Sequence, residues 1–522
     1  MEPALNPNTT TKTPGFLTHR PRTLLGLRLL AVSFTAVVHG MMYGSQHLWP
    51  LHWVLWLPFL WAILAQDGKG RVWLGFFAGT LTHAVIFPWY ITSIPRYVGL
   101  TTTPSVMVSL LLYMYLALPW LLLAWLLPKL IQHFPRVWPI GLACWTVALE
   151  YITPQLFPYT QGVSHYQVTS IFMVVSLVGT YGMTFLLMWA NGHLFQGLQA
   201  LAHKNPWPWK HSLLFLSVLA GCLLYGGHRQ SLYKQHSRKA RTLKVGIIQG
   251  NVSIEERRKV RHRGVHQIYM GLSDDAKDAG VDWIVWPEDS FRLGLLSAYV
   301  PRELLLFEVK QLGRPVLLGG RAFSRDGKSL HNSAIHADPK TGFGQRYDKT
   351  ILVPFSEYIP FQKYMTKVIG FKPNKTIFVP GKKSFVRTLQ GVKYSFLICY
   401  EAIFSGLART QVRQGSRLFV NLTNDAGFGR TSEPYQHLIM ATVRSAELGI
   451  PMIRATTSGF SVNVNALGQI KKRSQWFKRQ LLIVSVPLID LPSLYRIIGG
   501  SFAWLCTALS FLSLGLMLRK AE

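Results

Sequence analysis

The sequence predicts a polytopic α-helical membrane protein of about eight transmembrane helices, with an α/β domain inserted outside the bilayer before the last span. Three observations carry this. Hydrophobic residues make up 49% of the 522-residue chain and charged residues only 15%, well below the roughly 25% charged share of soluble domains. Long apolar segments crowd the first half of the chain. In the second half, short strand-like and helix-like stretches alternate until a final apolar run begins.

The expected spans are 24–44, 48–65, 72–94, 105–127, 137–153, 170–196, 211–227 and 496–518. Most supply the ~20 residues needed to cross ~30 Å of hydrocarbon. The fifth is short and carries Glu150. The sixth, with Gly179, Gly182 and Asn191, is long and is expected to tilt or break. Residues 1–23 form a polar tail, and the run from 24 reads as a retained first helix rather than a cleaved signal. A cytoplasmic N-terminus puts Arg20, Arg22, Lys69, Arg71, Lys129, Arg136, Lys204, Lys210, Arg519 and Lys520 on one side, leaving Arg96 in the opposite short loops. That asymmetry follows the positive-inside rule. It puts residues 244–490 outside, in the periplasm of a bacterium, after a basic linker at 228–243 that is expected to be solvated or to touch headgroups.

The formal charge of +32 is compatible with nucleic acid, anionic lipid or cytoplasmic loops. No nucleic-acid motif accompanies it, and the apolar spans favour the membrane. Of the four cysteines, Cys144, Cys222 and Cys506 lie in apolar runs and read as packing residues. None forms a C-x-x-C pair, so neither a zinc site nor a disulfide framework is expected.

In the extramembrane stretch, 244–250, 282–288, 314–320, 332–338, 394–401, 417–425, 451–459 and 481–488 read as strands, because β-branched residues and Leu dominate between turn residues. Helices are expected at 257–279, 301–312 and 433–449, the last with apolar contacts around a polar face. Glu288 ends a strand in VWPED, Cys399 ends one in LICYE, and Lys349 follows a turn in YDKTILVPF. Ligands of α/β sheets bind beyond the carboxyl ends of strands, so these three can converge. A thiol is a weak nucleophile at neutral pH unless activated. A carboxylate can take its proton. A lysine ammonium and the Tyr400 backbone N–H can stabilise an oxyanion. Each residue alone is unremarkable; the set is not.

VWPED (285–289), RYDKTILVPFSEYIP (346–360), LICYEAIF (397–404) and LTNDAGFG (422–429) resemble the motifs of the nitrilase superfamily. With QGN (249–251), residues 436–461 and the flanking spans, the pattern is similar to the apolipoprotein N-acyltransferases, its membrane-embedded members. The resemblance implies an αββα sandwich and a ping-pong acyl transfer in a bacterial inner membrane, without metal or soluble cofactor. Cys399 would take an acyl chain from a phospholipid, and the α-amine of a diacylglyceryl-cysteine on an apolipoprotein would then take it from the thioester. Glu288 would be the base and Lys349 the charge stabiliser, with Glu357, Tyr400 and Glu401 in support; the protein is expected to be a monomer. Two positions depart from the family. Gly427 stands where NDAWFG has its aromatic, and EERRKV (255–260) lacks the Trp of an LKW-like loop. Since both aromatics are expected to seat lipid, donor handling should differ here, and Arg257 to Lys259 are expected to favour anionic headgroups. The competing expectations are a membrane-tethered amidase with water as acceptor, a transporter with a gating domain, and an inactive family member.

Overall fold

The computed structural model describes residues 21–45, 47–252, 254–291, 296–361, 367 and 378–519; for 21–23, 254, 255, 257 and 258 it gives the backbone alone. Most of the expected tail, and the Arg257 and Arg258 side chains, thus lie outside the described residues.

Among the described residues, four helices are long and apolar enough to cross a membrane: Leu24–Met42, Thr102–His133, Trp209–Ser237 and Ser501–Arg519. Counting each bent pair as one span gives up to six. Gly68–Ile86 meets Tyr90–Val98 at 64°, across Pro88, which cannot continue the helical ladder. Thr169–Val178 meets Thr180–Ala202 at 119°. The break falls at Gly179, whose φ of 75° only glycine adopts freely and whose missing Cβ leaves room for the Tyr495 ring. The other two expected spans are helical but short. One is a 3-10 turn at Trp49–Trp53 followed by Leu57–Leu64; the other is the 15-residue helix Trp138–Ile152. At 1.5 Å per residue the latter spans only about 22 Å.

The linker expected at 228–243 departs from its sequence reading. Helix Trp209–Ser237 runs on through most of it. Arg229 is buried and donates to the carbonyls of Pro492 (2.7 Å) and Leu491 (3.1 Å), which tie the helix to the chain returning towards the last span.

The α/β part contains strands β1 (Thr242–Gln249), β2 (Trp283–Val285), β3 (Val316–Phe323), β4 (Leu330–Asp338), β5 (Gly342–Phe343) and β6 (Tyr347–Asp348). Then follow β7 (Arg387–Leu389), β8 (Val392–Ile398), β9 (Phe419–Thr423), β10 (Met452–Thr456), β11 (Val462–Val464), β12 (Ile470–Arg473) and β13 (Gln480–Pro487). One sheet has the order β13-β1-β2-β3-β4-β5, with β6 also on β4; the other runs β12-β11-β10-β9-β8-β7. The two-residue period of a strand sorts the side chains into layers. Tyr394, Phe396 and Ile398 of β8 meet Val245, Ile247 and Leu317 between the sheets, whereas Leu397 faces the helices with Val412 and Leu438. Helices Ile254–Asp278 and Tyr299–Leu312 cover the outer face of the first sheet, and Ser405–Arg413 and Glu433–Leu448 that of the second. This is the expected αββα sandwich.

Every expected strand is present, and five short ones (β5, β6, β7, β11 and β12) were too brief to show a period. Helix Glu433–Leu448 carries the expected polar face, and that face is buried. Glu433, Gln436, His437, Arg444 and Glu447 are all buried. The helix lies between the second sheet and the membrane helices. Ile439, Met440 and Val443 share one apolar cluster with Phe172, Val175 and Phe157. Arg444 and Glu447, three residues apart on this helix, form an ion pair at 3.1 Å.

Candidate active site

Cys399 follows β8 at the head of a 3-10 turn, with φ of +50°. A non-glycine residue there costs about 1–2 kcal/mol, so the surroundings must hold it. Glu401 does so from one side, accepting from the backbone N–H of Ile398 at 2.7 Å. His437 does so from the other, donating from Nε2 to the Cys399 carbonyl at 3.2 Å. Asp289, beside Glu288, and Phe355, in the Glu357 loop, also have positive φ. Backbone strain of this kind gathers at functional sites.

Glu288, Lys349 and Glu357 form one buried group. The Lys349 ammonium is 2.9 Å from Glu357 and 3.5 Å from Glu288. Asn332 Nδ2 donates to both carboxylates, at 2.7 Å to Glu288 and 2.9 Å to Glu357. The backbone N–H of Val353 donates to Glu357 at 2.8 Å. β3 comes close because Gly319 has no side chain: a Cβ there would lie 2.8 Å from the Glu288 Cα. Burial pulls the Lys349 ammonium down, but Glu357 and Glu288 outweigh it and hold it above its ordinary value. Burial pushes the Glu288 carboxyl up, against the pull of Lys349. Both interact electrostatically with Cys399.

Glu401 is a hub rather than a free base. Its carboxylate accepts from Tyr347 Oη (2.7 Å), the Thr350 N–H (2.6 Å) and Thr350 Oγ1 (2.9 Å), which fastens the Lys349 loop to the Cys399 turn. Tyr400 reaches away, its hydroxyl donating to the Leu156 carbonyl in the membrane half. The structure thus brings all six expected site residues to one place.

Two sets of contacts escaped the sequence reading. Asn332 could have been suspected as a buried amide near the start of a predicted strand, but no spacing links it to Glu288. Beneath the nucleophile, Arg454 pairs with Asp425 at 3.0 Å and with Asn421 Oδ1 at 2.6 Å, and Asn421 Nδ2 donates to the Leu397 carbonyl at 2.8 Å. His437 Nδ1 is 3.2 Å from Asp425. Asp425, Glu433 and His437 have ligand atoms within 4.8 Å of one another, yet the Arg454 guanidinium already neutralises Asp425 and opposes a divalent cation. Burial pushes the Glu433 carboxyl well up, and neither oxygen has a hydrogen-bond partner among the described residues.

Residues 31–193 match the apolipoprotein N-acyltransferase N-terminal domain, and residues 244–496 match the carbon-nitrogen hydrolase family. The chain is 32% identical to an apolipoprotein N-acyltransferase of Geobacter metallireducens, over 92% of this chain and 93% of that protein. The chain belongs to the apolipoprotein N-acyltransferase family. It is also 27% identical to the apolipoprotein N-acyltransferase of Pasteurella multocida, over 93% of this chain and 94% of that protein. Among solved structures, an amidase from Nesterenkonia sp. is similar, with 20% identity and a TM-score of 0.39, covering 50% of this chain and 95% of that one.

For this family member the charge around Cys399 has a direct consequence. Burial, and then the negative charge of Glu288, push the thiol well above its ordinary value; Lys349 pulls the other way without prevailing. The resting thiol is therefore neutral, and an attack by its sulfur would need a base. Alkylation of Cys399 by iodoacetamide should still be accelerating at pH about 9, because its rate follows the thiolate fraction. A plateau in the rate by pH about 8 would show a preformed thiolate instead.

Proposed function

We propose that this protein acylates the N-terminus of lipoproteins, carrying a fatty acyl chain from a phospholipid to the α-amine of a diacylglyceryl-cysteine through a thioester on Cys399. The carrying observation is the buried Glu288–Lys349–Glu357 group beside a strained cysteine whose neighbour Tyr400 bonds to the membrane half. Family membership and the apolar helices support the same reading.

Glu288 takes the Cys399 proton as sulfur attacks the ester carbonyl. Lys349 stabilises the oxyanion, with the Tyr400 N–H as a second donor. The carbon–oxygen bond to glycerol breaks, Glu288 returns the proton to that oxygen, and a lysophospholipid leaves. The α-amine then attacks the thioester, the carbon–sulfur bond breaks, and the amine proton passes through Glu288 back to sulfur. Both substrates are bilayer-bound, so holding the site at the lipid surface replaces diffusion by proximity. Shielding the thioester from water favours the amine. Loop charges support an inner-membrane location with residues 244–490 on the periplasmic side, eight crossings in total, and a monomer suffices for the chemistry. The competing acceptor is water, which would make the protein a tethered amidase.

The test is incubation of the purified protein with phospholipid vesicles and a diacylglyceryl-cysteine lipopeptide. Lysophospholipid and N-acylated lipopeptide should appear in equal amounts. Free fatty acid in place of acylated lipopeptide would assign water as the acceptor, and release of neither product would defeat the acyl-transfer reading.

A further inference from the structure

Gly427 lacks a side chain, and another residue fills its place. A Cβ built on Gly427 would lie 2.0 Å from Tyr97 Oη and 2.6 Å from Tyr97 Cζ. Tyr97 belongs to the short helix Tyr90–Val98, the second arm of the bent pair in the membrane half. The approach is fixed from both sides. Arg96 Nη1 donates to the Gly427 carbonyl at 3.0 Å. The Tyr97 ring packs on Phe428 with centroids 5.1 Å apart. About two turns earlier, at the N-terminal end of this helix, Trp89 packs on Phe428 at 5.5 Å, and its Nε1 donates to Gln436 at 3.0 Å.

These rings do not stop at the loop. Trp89 packs on Phe157 at 5.0 Å, and Phe157 on Tyr400 at 5.5 Å, next to the nucleophile. An aromatic series therefore runs from a membrane helix to the residue after Cys399. Tyr97 thus packs on the loop whose Asp425 lies 3.2 Å from His437, the residue that donates to the Cys399 carbonyl. Its bulk is carried by the membrane half, where a larger residue at 427 would carry it on the extramembrane loop.

We propose that Tyr97 is the residue that positions the long-chain phospholipid donor against Cys399, in the space that Gly427 leaves open. This rests on the acyl-transfer reading above. The ring supplies an apolar wall for the acyl chain near its ester, and a long chain that must lie along that wall depends on it more than a short one. Residue 427 and Tyr97 are then alternatives for one volume.

Two measurements test this. The first is a melting-temperature cycle in detergent, which does not depend on acyl transfer. Gly427→Trp should lower the melting temperature, and adding Tyr97→Gly should recover most of the loss. A tolerated Gly427→Trp, or a double variant no more stable than Gly427→Trp, would overturn the shared-volume geometry. The second is acylation of Cys399, read by intact mass, from phosphatidylethanolamine vesicles and from p-nitrophenyl butyrate. In Tyr97→Ala the ratio of the long-chain to the short-chain rate should fall about tenfold, and Tyr97→Phe should keep it. A ratio unchanged in Tyr97→Ala would show a structural role only. If wild type takes acyl chains from the short ester but none from the vesicles, the acyl-transfer reading falls and this proposal with it. A wild type and a Tyr97→Ala that acylate alike would overturn the Tyr97 assignment alone.

Discussion

Cys399→Ser should abolish the acyl-enzyme and lower acyl transfer by at least about a thousandfold. Intact mass of wild-type protein incubated with phospholipid should show one added fatty acyl group, removed by neutral hydroxylamine as a thioester is. The variant should show none. The reason is the setting of the sulfur. Its thiol is neutral at rest, raised by burial and by Glu288, and in the proposed mechanism that carboxylate takes its proton. A serine hydroxyl is a far weaker acid, so the same base cannot generate an adequate nucleophile. Serine tolerates the φ of +50° about as well as cysteine does, so the melting temperature should be nearly unchanged. A variant that still acylates lipopeptide would place the nucleophile elsewhere.

Lys349→Met should damage both stability and chemistry. Lys349 is 1% exposed and lies between Glu288 and Glu357. Removing its charge leaves two buried carboxylates bridged by Asn332, a loss of about 3–5 kcal/mol for a broken buried pair. One of them should then take up a proton. A carboxyl raised above its unfolded value favours the fold at low pH, and that contribution is lost as pH rises through the folded value. The melting temperature of the variant should therefore fall further below wild type at pH 8 than at pH 5. Acylation of Cys399 should drop about a hundredfold or more, since the proposed mechanism loses the cation facing its oxyanion. A variant within a degree of wild type at both pH values would show that the ion pairs do not hold the site together.

Much of this protein was legible in its sequence, because the signals were local. Apolar runs long enough for a bilayer mark helices wherever they occur. Strand alternation of the kind seen in Tyr394, Phe396 and Ile398 marks one buried face without reference to a partner. Glu288, Lys349 and Cys399 stood out because each follows a strand or turn and because the motifs around them resemble a known family. Their roles remain for the experiments above to assign; the structure adds that they share one site.

What the sequence left open was settled by contacts between distant segments. Asn332 bridges Glu288 and Glu357, but an asparagine in a strand does not announce which carboxylates it will meet. Helix Glu433–Leu448 has an amphipathic pattern that suggests water on one face; the protein buries that face instead, with Gln436 bonded to Trp89 and Arg444 paired with Glu447. Arg229 looked like part of a solvated connector, and the carbonyls of Leu491 and Pro492 bury it. Gly427 read as a lost aromatic, yet Tyr97 of a membrane helix occupies the space. Periodicity and composition state which face of an element is apolar. Which remote surface fills a given volume depends on how the whole chain packs, since close packing ties each void to whatever side chain can reach it.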